Sequence, residues 1–228
     1  MDRDNGSHAP IPDDSELDGV IWDYNGTILD DLDIVLTSIN RLLRARGLKG
    51  ITAEQHRSRF RFPVEEYYQE LGFDLDREHF GTLSDEYHGH YMALLPESGV
   101  HQGVMRLLNR FARAELPQYV LSAMHEPRLR SSLEDLGISE YFDGVYGLGD
   151  LLARSKVDRG QELVRHAGIA PERTLFIGDT DHDVEVAEAL GCIPVAVATG
   201  HQESGRFDSA RVSVYEDCHS LEAGLAHL

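Results

Sequence analysis

The sequence has little cysteine and no long apolar run. Two cysteines, Cys192 and Cys218, occur in 228 residues, and their spacing is not one that metal sites use. This usage is typical of a reducing compartment, so we expect a cytoplasmic protein with two free, buried thiols. No apolar stretch approaches the roughly 20 residues of a membrane-spanning helix, so we expect no membrane partner.

Basic residues are also scarce, since 21 of them stand against 40 acidic ones and the formal net charge is −19. This balance argues against nucleic acid as a partner, because phosphate backbones attract basic surfaces. A small anionic substrate remains compatible with the charge, provided that local cations hold it against the overall field.

Apolar residues make up 41% of the chain, which is enough for a folded core. Residues 1–16 are polar and acidic and do not resemble a signal peptide, so we predict a disordered leader there. The remaining length suits one large domain, or a core domain that carries a smaller insert.

Short apolar runs alternate with helical patterns over most of the chain. Strands are predicted around Val20–Trp22, Gln118–Leu121, Gly144–Tyr146, Thr174–Ile177, Pro194–Ala198 and Arg211–Val214. Residues 32–97 instead contain only helical patterns, over Leu32–Gly47, from Thr52, over Pro63–Leu71 and over Asp76–Leu95. We therefore predict an α/β fold with a Rossmann-like parallel sheet formed by 17–31 and 98–228, and an inserted all-helical cap at 32–97.

Polar groups follow several of the predicted strands. Asp23 and the turn Asn25-Gly26-Thr27 end the first strand, Ser122 ends the second, and Asp179 ends a later one. Because ligands bind at the carboxyl ends of strands in open parallel sheets, these side chains are placed for chemistry. Lys156, which lies between Ser122 and Asp179 in the sequence, begins a predicted helix and adds an ammonium group to the same edge of the sheet.

These residues resemble, in order, four signatures of the haloacid dehalogenase-like hydrolases. The signatures are Asp23-Tyr24-Asn25-Gly26-Thr27, Ser122, Lys156 and Gly178-Asp179-Thr180-x-x-Asp183. The resemblance covers about residues 18–228 and is greatest to the phosphoglycolate phosphatase-like branch, which has an α-helical (C1-type) cap. The first and last signatures are specific, whereas Ser122 and Lys156 would be weak alone. The resemblance implies an enzyme that hydrolyses phosphate esters.

The resemblance also implies a role for each residue. Asp23 would attack phosphorus and form an aspartyl-phosphate, which splits hydrolysis into two easier steps. Asp23, the main-chain carbonyl of Asn25 and Asp179 would hold Mg²⁺. Asp183 would lie behind these ligands and orient them, or pair with Lys156.

The phosphoryl group itself would be bound by further groups. Lys156 would neutralise its charge during transfer. Ser122, the backbone N–H groups beside it at Ala123, and Thr27 would bind its oxygens.

Asn25 departs from the pattern, because most phosphatases of this kind have a second aspartate there. That aspartate protonates the leaving oxygen and later activates water. An amide has no titratable proton near neutral pH, and the loss of general acid–base catalysis costs roughly 10²–10⁴-fold in rate.

Four explanations of Asn25 remain open. The enzyme hydrolyses esters with good leaving groups or uses another acid, or, as the resemblance also allows, it cleaves carbon–halogen or carbon–phosphorus bonds. Carbon–phosphorus cleavage in this family uses a cap lysine as a Schiff base, and Lys49 is the only lysine of the predicted cap. Alternatively, the fold binds a phosphorylated ligand or partner with feeble turnover, or the asparagine is a substitution made to trap a ligand. His125, His182 and His201 follow predicted strands and could supply an acid, although the simpler interpretation of each is a surface histidine.

The densest basic run of the chain, Arg57, Arg59 and Arg61, lies in the insert. We predict that one or two of these arginines, with Arg59 and Arg61 as the candidates, bind a carboxylate or a second phosphate of the substrate, although a solvated helix end explains them equally well. Tyr67, Tyr68, Tyr87 and Tyr91 are predicted to form the core of the insert. The predicted function is thus a Mg²⁺-dependent phosphatase for a small phosphorylated metabolite, acting as a monomer or homodimer.

Overall fold

Eight strands occur among the described residues of this computed structural model, which are 11, 16–149, 155–209 and 211–225. The predicted leader at 1–16 lies, apart from residues 11 and 16, outside the described residues. The strands are β1 (Gly19–Trp22), β2 (Leu29–Asp30), β3 (Gly99–Val100), β4 (Gln118–His125), β5 (Gly144–Leu148), β6 (Thr174–Gly178), β7 (Ile193–Val197) and β8 (Ser213–Tyr215).

Six of the strands form one parallel sheet in the order β5-β4-β1-β6-β7-β8. This architecture confirms the predicted α/β class with a Rossmann-like sheet. β1 lies between β4 and β6, and all four of its residues are buried. Because the strand order reverses at β1, its carboxyl end opens into the crevice where such sheets bind ligands.

Four helices lie along the chain between β2 and β3 and form the helical insert. They are α1 (Leu32–Ala45), α2 (Ala53–Arg59), α3 (Val64–Glu70) and α4 (Phe80–Leu94). They enclose their own apolar cluster, which includes Leu42, Tyr67 and Leu83. β2 and β3 pair antiparallel and join the two connections to the sheet domain, a pairing that was not predicted. The cap boundaries 32–97 stay a prediction.

Five further helices cover the two faces of the sheet. They are α5 (Val104–Arg113), α6 (Glu126–Asp135), α7 (Lys156–Ala167), α8 (Asp181–Leu190) and α9 (Cys218–Gly224). Successive residues of β1 point to opposite faces. Val20 and Trp22 therefore pack in one cluster with α5, α6 and α9, while Ile21 packs in a second cluster with α7 and α8.

The second sheet strand is longer than predicted. β4 does not end at Ser122 but continues to His125, and its register against β5 shifts between Leu121 and His125. Within this irregular stretch the Met124 N–H donates to Ser122 Oγ at 3.1 Å. Such a bulge redirects the strand beside β1, so the prediction of a simple strand end was wrong.

The fourth helix of the insert begins later than predicted, at Phe80 rather than at Asp76. The preceding residues form a turn in which the N–H groups of Arg77 and Glu78 donate to the Asp74 carbonyl at 3.1 and 3.0 Å. This turn takes the place of the first part of the helix that the apolar pattern predicted.

Both cysteines are buried and free, as predicted. Burial raises the pKa of each thiol to about 12, so neither is a reactive thiolate near neutral pH. Among the described residues, no helix combines the length and the apolar character that crossing a membrane would require.

Candidate active site

Four buried charged side chains meet at the carboxyl ends of β1 and β6. Asp23 follows β1 and Asp179 follows β6, while Lys156 and Asp183 lie in the first turns of α7 and α8. Lys156 Nζ donates to Asp23 Oδ1 and, at 2.6 Å, to Asp183 Oδ1. Thr27 Oγ1 lies 3.2 Å from Asp23 Oδ2 and 3.1 Å from Asp179 Oδ1. Its single proton can serve one of the two carboxylates at a time.

The start of α8 explains the orientation of Asp183. Thr180 and Asp183 form a capping box, in which Asp183 Oδ2 accepts from Thr180 N at 3.0 Å and from Thr180 Oγ1 at 2.6 Å. One carboxylate oxygen is thus used by the helix start, and Oδ1 is left for Lys156. Ser155 and Asp158 make an equivalent box that begins α7 at Lys156.

Two glycines allow the backbone to approach Asp179. Gly26 has a φ of +78°, and a Cβ there would lie 2.3 Å from Asp179 Oδ2. A Cβ at Gly200 would lie 2.1 Å from the same oxygen. The His201 N–H donates to that oxygen at 2.6 Å. A side chain at either glycine would therefore displace the carboxylate.

The four charges do not balance one another. Burial raises the pKa of Asp23 to about 6, a rise that Lys156 opposes and Asp183 increases. Burial raises the pKa of Asp179 to about 7; His201 opposes this rise, and Asp23 and Asp183 increase it. The ionised forms of two of the three carboxylates are therefore disfavoured, first by burial and then by the neighbouring carboxylates.

Lys156 has the opposite effect on Asp183. Burial alone would raise the pKa of Asp183, but Lys156 and the bonds from Thr180 hold it below its usual range. Burial alone would lower the pKa of Lys156, but Asp183 and Asp23 raise it above the usual range. The ammonium group is therefore charged at every pH at which the protein would work.

The three carboxylates fit a hard divalent cation. One oxygen from each of Asp23, Asp179 and Asp183 lies within 4.8 Å of the other two. Mg²⁺ prefers such oxygen ligands and keeps several waters. Among the described residues, Asp179 is bonded by Thr27 and by a backbone N–H but by no lysine or arginine. A buried carboxylate with a raised pKa and no such partner is where a cation would relieve the most repulsion.

The side-chain amide of Asn25 donates to Asp31 and to the helical insert. Its Nδ2 donates to Asp31 Oδ2 at 3.0 Å and to the Tyr91 hydroxyl at 2.7 Å. The same hydroxyl donates to Asp31 Oδ2 at 2.7 Å. Tyr91 belongs to α4, so the insert and the sheet domain share these bonds. We call Asn25, Asp31, Tyr91 and His201 the Asp31 network.

The fourth member of this network carries a positive charge. His201 Nε2 lies 3.2 Å from Asp31 Oδ1, and both side chains are buried. Burial alone would lower the pKa of His201, but Asp31 raises it to about 9. Burial alone would raise the pKa of Asp31, but His201, Tyr91 and Asn25 hold it below its usual range. The pair is thus an imidazolium against a carboxylate.

A second histidine continues the chain of bonds into the insert. His56 Nε2 lies 3.3 Å from His201 Nδ1, and His56 Nδ1 lies 2.7 Å from the Tyr67 hydroxyl. Burial, and then His201, lower the pKa of His56 to about 3, so it is neutral. The charged His201 therefore donates to His56 Nε2, which leaves the proton of His56 on Nδ1 for Tyr67.

More contacts join α2 to the loop that follows β7. Arg57 Nε donates to the Gly200 carbonyl at 2.9 Å, and its NH2 donates to the Thr199 carbonyl at 2.8 Å. Gln202 Nε2 donates to the Phe60 carbonyl at 3.0 Å. The insert therefore lies directly against the loop that carries His201.

The residues predicted to bind the substrate differ in burial and in their partners. Ser122 is buried in the bulge of β4, whereas Ala123 beside it is exposed. Arg61 pairs with Glu70 at 2.6 Å, and Arg59 lies 3.9 Å from the same carboxylate. No contact described in the structure joins either arginine to the carboxylates of the site. Their role in substrate binding stays a prediction.

The interpretation of the three histidines needs one correction. His125 is exposed and His182 is partly exposed, in line with surface positions. His201 is buried against Asp31, so the surface interpretation was wrong for it. Tyr91 likewise does more than fill the insert core, because its hydroxyl bonds across to Asn25.

Sequence reasoning did not identify Asp31 and His56 as members of a shared network. The one sequence feature that pointed to the network was the position of Asp31, six residues after Asn25. The insert residues gave none, because helical periodicity does not show where a helix docks.

Comparison with known proteins decides the family. The model of the family described as haloacid dehalogenase-like hydrolase matches residues 20–197. The chain belongs to this family. The predicted family is therefore confirmed, and with it the prediction of a hydrolase.

The relatives support the predicted branch as well. A phosphoglycolate phosphatase from Mesorhizobium japonicum is 28% identical over 192 residues, which are 81% of this chain and 84% of that protein. A haloacid dehalogenase-like family hydrolase from Streptococcus pneumoniae has a TM-score of 0.80 at 20% identity, covering 92% of this chain and 98% of that one. CbbY from Rhodobacter sphaeroides, solved in complex with xylulose 1,5-bisphosphate, has a TM-score of 0.68 at 18% identity, covering 92% and 99%. These two structures have the same fold as this chain.

Proposed function

We propose that this haloacid dehalogenase-like hydrolase is a Mg²⁺-dependent phosphatase that acts on a small phosphorylated metabolite. The observation that carries the proposal is the buried group of Asp23, Lys156, Asp179 and Asp183 at the carboxyl ends of adjacent strands. The phosphatase names of the relatives support the same reaction.

In the proposed reaction the Asp23 carboxylate attacks phosphorus, and the bond from phosphorus to the ester oxygen breaks. The ester oxygen leaves with the electron pair of that bond and takes a proton from solvent water. Water then attacks phosphorus, which releases phosphate and frees Asp23. Lys156, which already donates to Asp23, stays charged and offsets the negative charge as it moves between carboxylate and phosphoryl group. Ser122, the backbone at Ala123, and Thr27 bind the phosphoryl oxygens in this proposal.

The residues that would hold Mg²⁺ are Asp23, Asp179 and the main-chain carbonyl of Asn25, with Asp183 fixed behind them by Thr180 and Lys156. The chemistry that the ion supplies when bound is neutralisation of the repulsion between Asp23 and an anionic ester. The helical insert acts as the cap in this proposal. Arg59 and Arg61 would bind a distal anionic group if Glu70 releases them.

A second function, binding of a phosphorylated ligand or partner with little turnover, is favoured by one observation. Asn25 offers no proton for the leaving group, and its Nδ2 is engaged with Asp31 and Tyr91. A protein of this kind would bind phosphate esters without releasing phosphate. The two free, buried thiols support a reducing, cytoplasmic location for either function.

A turnover assay separates the two functions. Purified protein is given a panel of phosphate monoesters with and without Mg²⁺, beside Asp23→Asn and a control, Asp33→Asn, which changes an exposed aspartate of α1. We expect Mg²⁺-dependent release of phosphate by the wild type and the control, and a loss on the order of 10⁴-fold or more in Asp23→Asn. Equal release by wild type and Asp23→Asn would exclude hydrolysis through this residue.

A further inference from the structure

The side-chain amide of Asn25 can adopt only one orientation in its surroundings. Its Nδ2 lies 3.0 Å from Asp31 Oδ2, and a carboxylate that already accepts from Tyr91 cannot donate in return. The opposite orientation would place two acceptor oxygens 3.0 Å apart in a buried site. The geometry of Asp31 therefore determines which end of the amide faces inward.

The outer end of the amide is then the oxygen Oδ1. Both bonds made by Asn25 use Nδ2, and no described residue donates to Oδ1. Oδ1 is also absent from the fully buried side-chain atoms that lack a partner, so it keeps contact with solvent. The group that Asn25 offers to a substrate or a water is therefore a hydrogen-bond acceptor.

We infer that Asp31 and Tyr91 are positioning residues that present Asn25 Oδ1 as an acceptor for the water that hydrolyses the aspartyl-phosphate. The inference rests on the proposed phosphatase function. The water donates one hydrogen bond to Oδ1 and attacks phosphorus with its oxygen, and the bond from phosphorus to Asp23 breaks. Both protons of the water leave with the released phosphate and Asp23 is released as a carboxylate, so the amide gains and loses nothing. Asn25 orients the water but takes no proton.

The inference also gives Asn25 a reason to be an amide in this chain. An aspartate at position 25 would set a second carboxylate at the place where Asp31 now receives a hydrogen bond. Like charges at this distance in a buried site are strongly unfavourable. Position 25 and position 31 therefore act as one unit, in which one side chain donates and the other accepts.

Tyr91 extends this unit into the helical insert. Its hydroxyl accepts from Asn25 and donates to Asp31, and it comes from α4 rather than from the sheet domain. Asp31 determines the orientation of the amide, and Tyr91 adds a second acceptor for Nδ2. The amide is therefore held more firmly when the insert is docked.

The first test removes the Tyr91 hydroxyl with Tyr91→Phe. The control is Tyr87→Phe, because Tyr87 stacks on Tyr91 in the same helix and its hydroxyl makes no hydrogen bond that the structure describes. Hydrogen exchange of the Asn25 Nδ2 protons is followed by NMR, and kcat and KM are measured in parallel. We expect Tyr91→Phe to speed Nδ2 exchange and to lower kcat about tenfold with KM changed less than about twofold, since misplacement of a reacting group affects the chemical step. The control should change neither.

The second test exchanges the donor and the acceptor. Asn25→Asp alone should lower kcat, whereas Asn25→Asp combined with Asp31→Asn should recover activity relative to Asn25→Asp, because one donor again faces one acceptor. A gain in kcat from Asn25→Asp alone, or exchange of Nδ2 that is the same in Tyr91→Phe and Tyr87→Phe, would overturn the inference. The exchange measurement needs no turnover. A wild type without Asp23-dependent activity would therefore refute the proposed function and leave the placement of the amide to be judged by NMR.

Discussion

Two buried groups of charged residues lie beside the turn Asn25-Gly26-Thr27, one with three carboxylates and one with the single carboxylate of Asp31, and their negative charges are balanced differently. Asp23, Asp179 and Asp183 share one lysine, and the pKa values of the first two are raised to about 6 and about 7. Asp31 has His201 as a counter-ion and two further donors, and its pKa is lowered.

The difference separates two roles for buried aspartates. A buried carboxylate with a raised pKa destabilises the fold when it is ionised, and a bound cation relieves that cost. A buried carboxylate with a counter-ion and two hydrogen-bond donors stabilises the fold and fixes its neighbours. The same substitution, aspartate to asparagine, should therefore have opposite effects on stability in the two groups.

The largest effect on stability is expected for Asp31→Asn. The change leaves the His201 charge buried without its counter-ion. Removal of one partner from a buried ion pair costs about 3–5 kcal/mol of stability. The free energy of unfolding from urea titrations at pH 7 should fall by that amount. A loss below about 1 kcal/mol would show that the Asp31 network does not hold the insert on the sheet domain.

The free energy of unfolding is expected to rise, rather than fall, for Asp179→Asn in the absence of divalent cations. The folded pKa of Asp179, about 7, lies above its value in the unfolded chain, so ionised Asp179 opposes folding. This penalty grows as pH rises from about 4 to 7 and is fully present above 7. At pH 8 the variant should be more stable than the wild type by on the order of 2–4 kcal/mol. At pH 4 the two proteins should be equally stable, and a variant that is less stable at pH 8 would contradict the comparison.

Mg²⁺ affinity should depend on pH for the same reason. Protons compete with the cation for Asp179 and Asp23, so affinity should be highest above pH 7 and fall as pH drops through 7 and then 6. Between pH 8 and pH 6 the dissociation constant, from calorimetry, should rise about tenfold. Asp33→Asn, which changes an exposed aspartate of α1, serves as a control that leaves both groups in place. A dissociation constant that does not change with pH would place the ion elsewhere.

The smallest effect concerns the contacts between α2 and the loop after β7. Arg57→Ala removes two hydrogen bonds to carbonyls of that loop and should cost about 1–2 kcal/mol of unfolding free energy. Arg61→Ala removes an exposed ion pair with Glu70 and should cost less than about 0.5 kcal/mol. Equal losses in the two variants would show that Arg57 does not join the insert to the sheet domain.

Sequence patterns predicted the sheet and the group around Asp23 well because both depend on local signals. A buried run that stops at an aspartate marks a strand end, and parallel strands bring their ends to one edge. Asp179 could thus be placed next to Asp23 although 156 residues separate them in the sequence. Lys156 was found only through its order among the motifs.

The Asp31 network could not be predicted in the same way. Tyr91 and His56 lie in the insert, and helical periodicity indicates which face of a helix is apolar but not which surface it meets. His201 follows a strand like many surface residues, and its burial depends on α2 lying against its loop. The bulge in β4 was missed for a related reason. Between the pairs Leu121–Tyr146 and His125–Leu148, β4 has two more residues than β5, and the apolar pattern of one strand does not show which residues lack a partner on the next.

The central claim, attack by Asp23 on phosphorus, is tested most directly by trapping the phosphoenzyme. The wild type is mixed with a labelled phosphate ester and Mg²⁺, quenched in acid within one turnover, and digested to locate the label. We expect label on the peptide that contains Asp23, and none in Asp23→Asn. Label that persists in Asp23→Asn, or a wild type that releases phosphate with no labelled peptide at any quench time, would contradict the account.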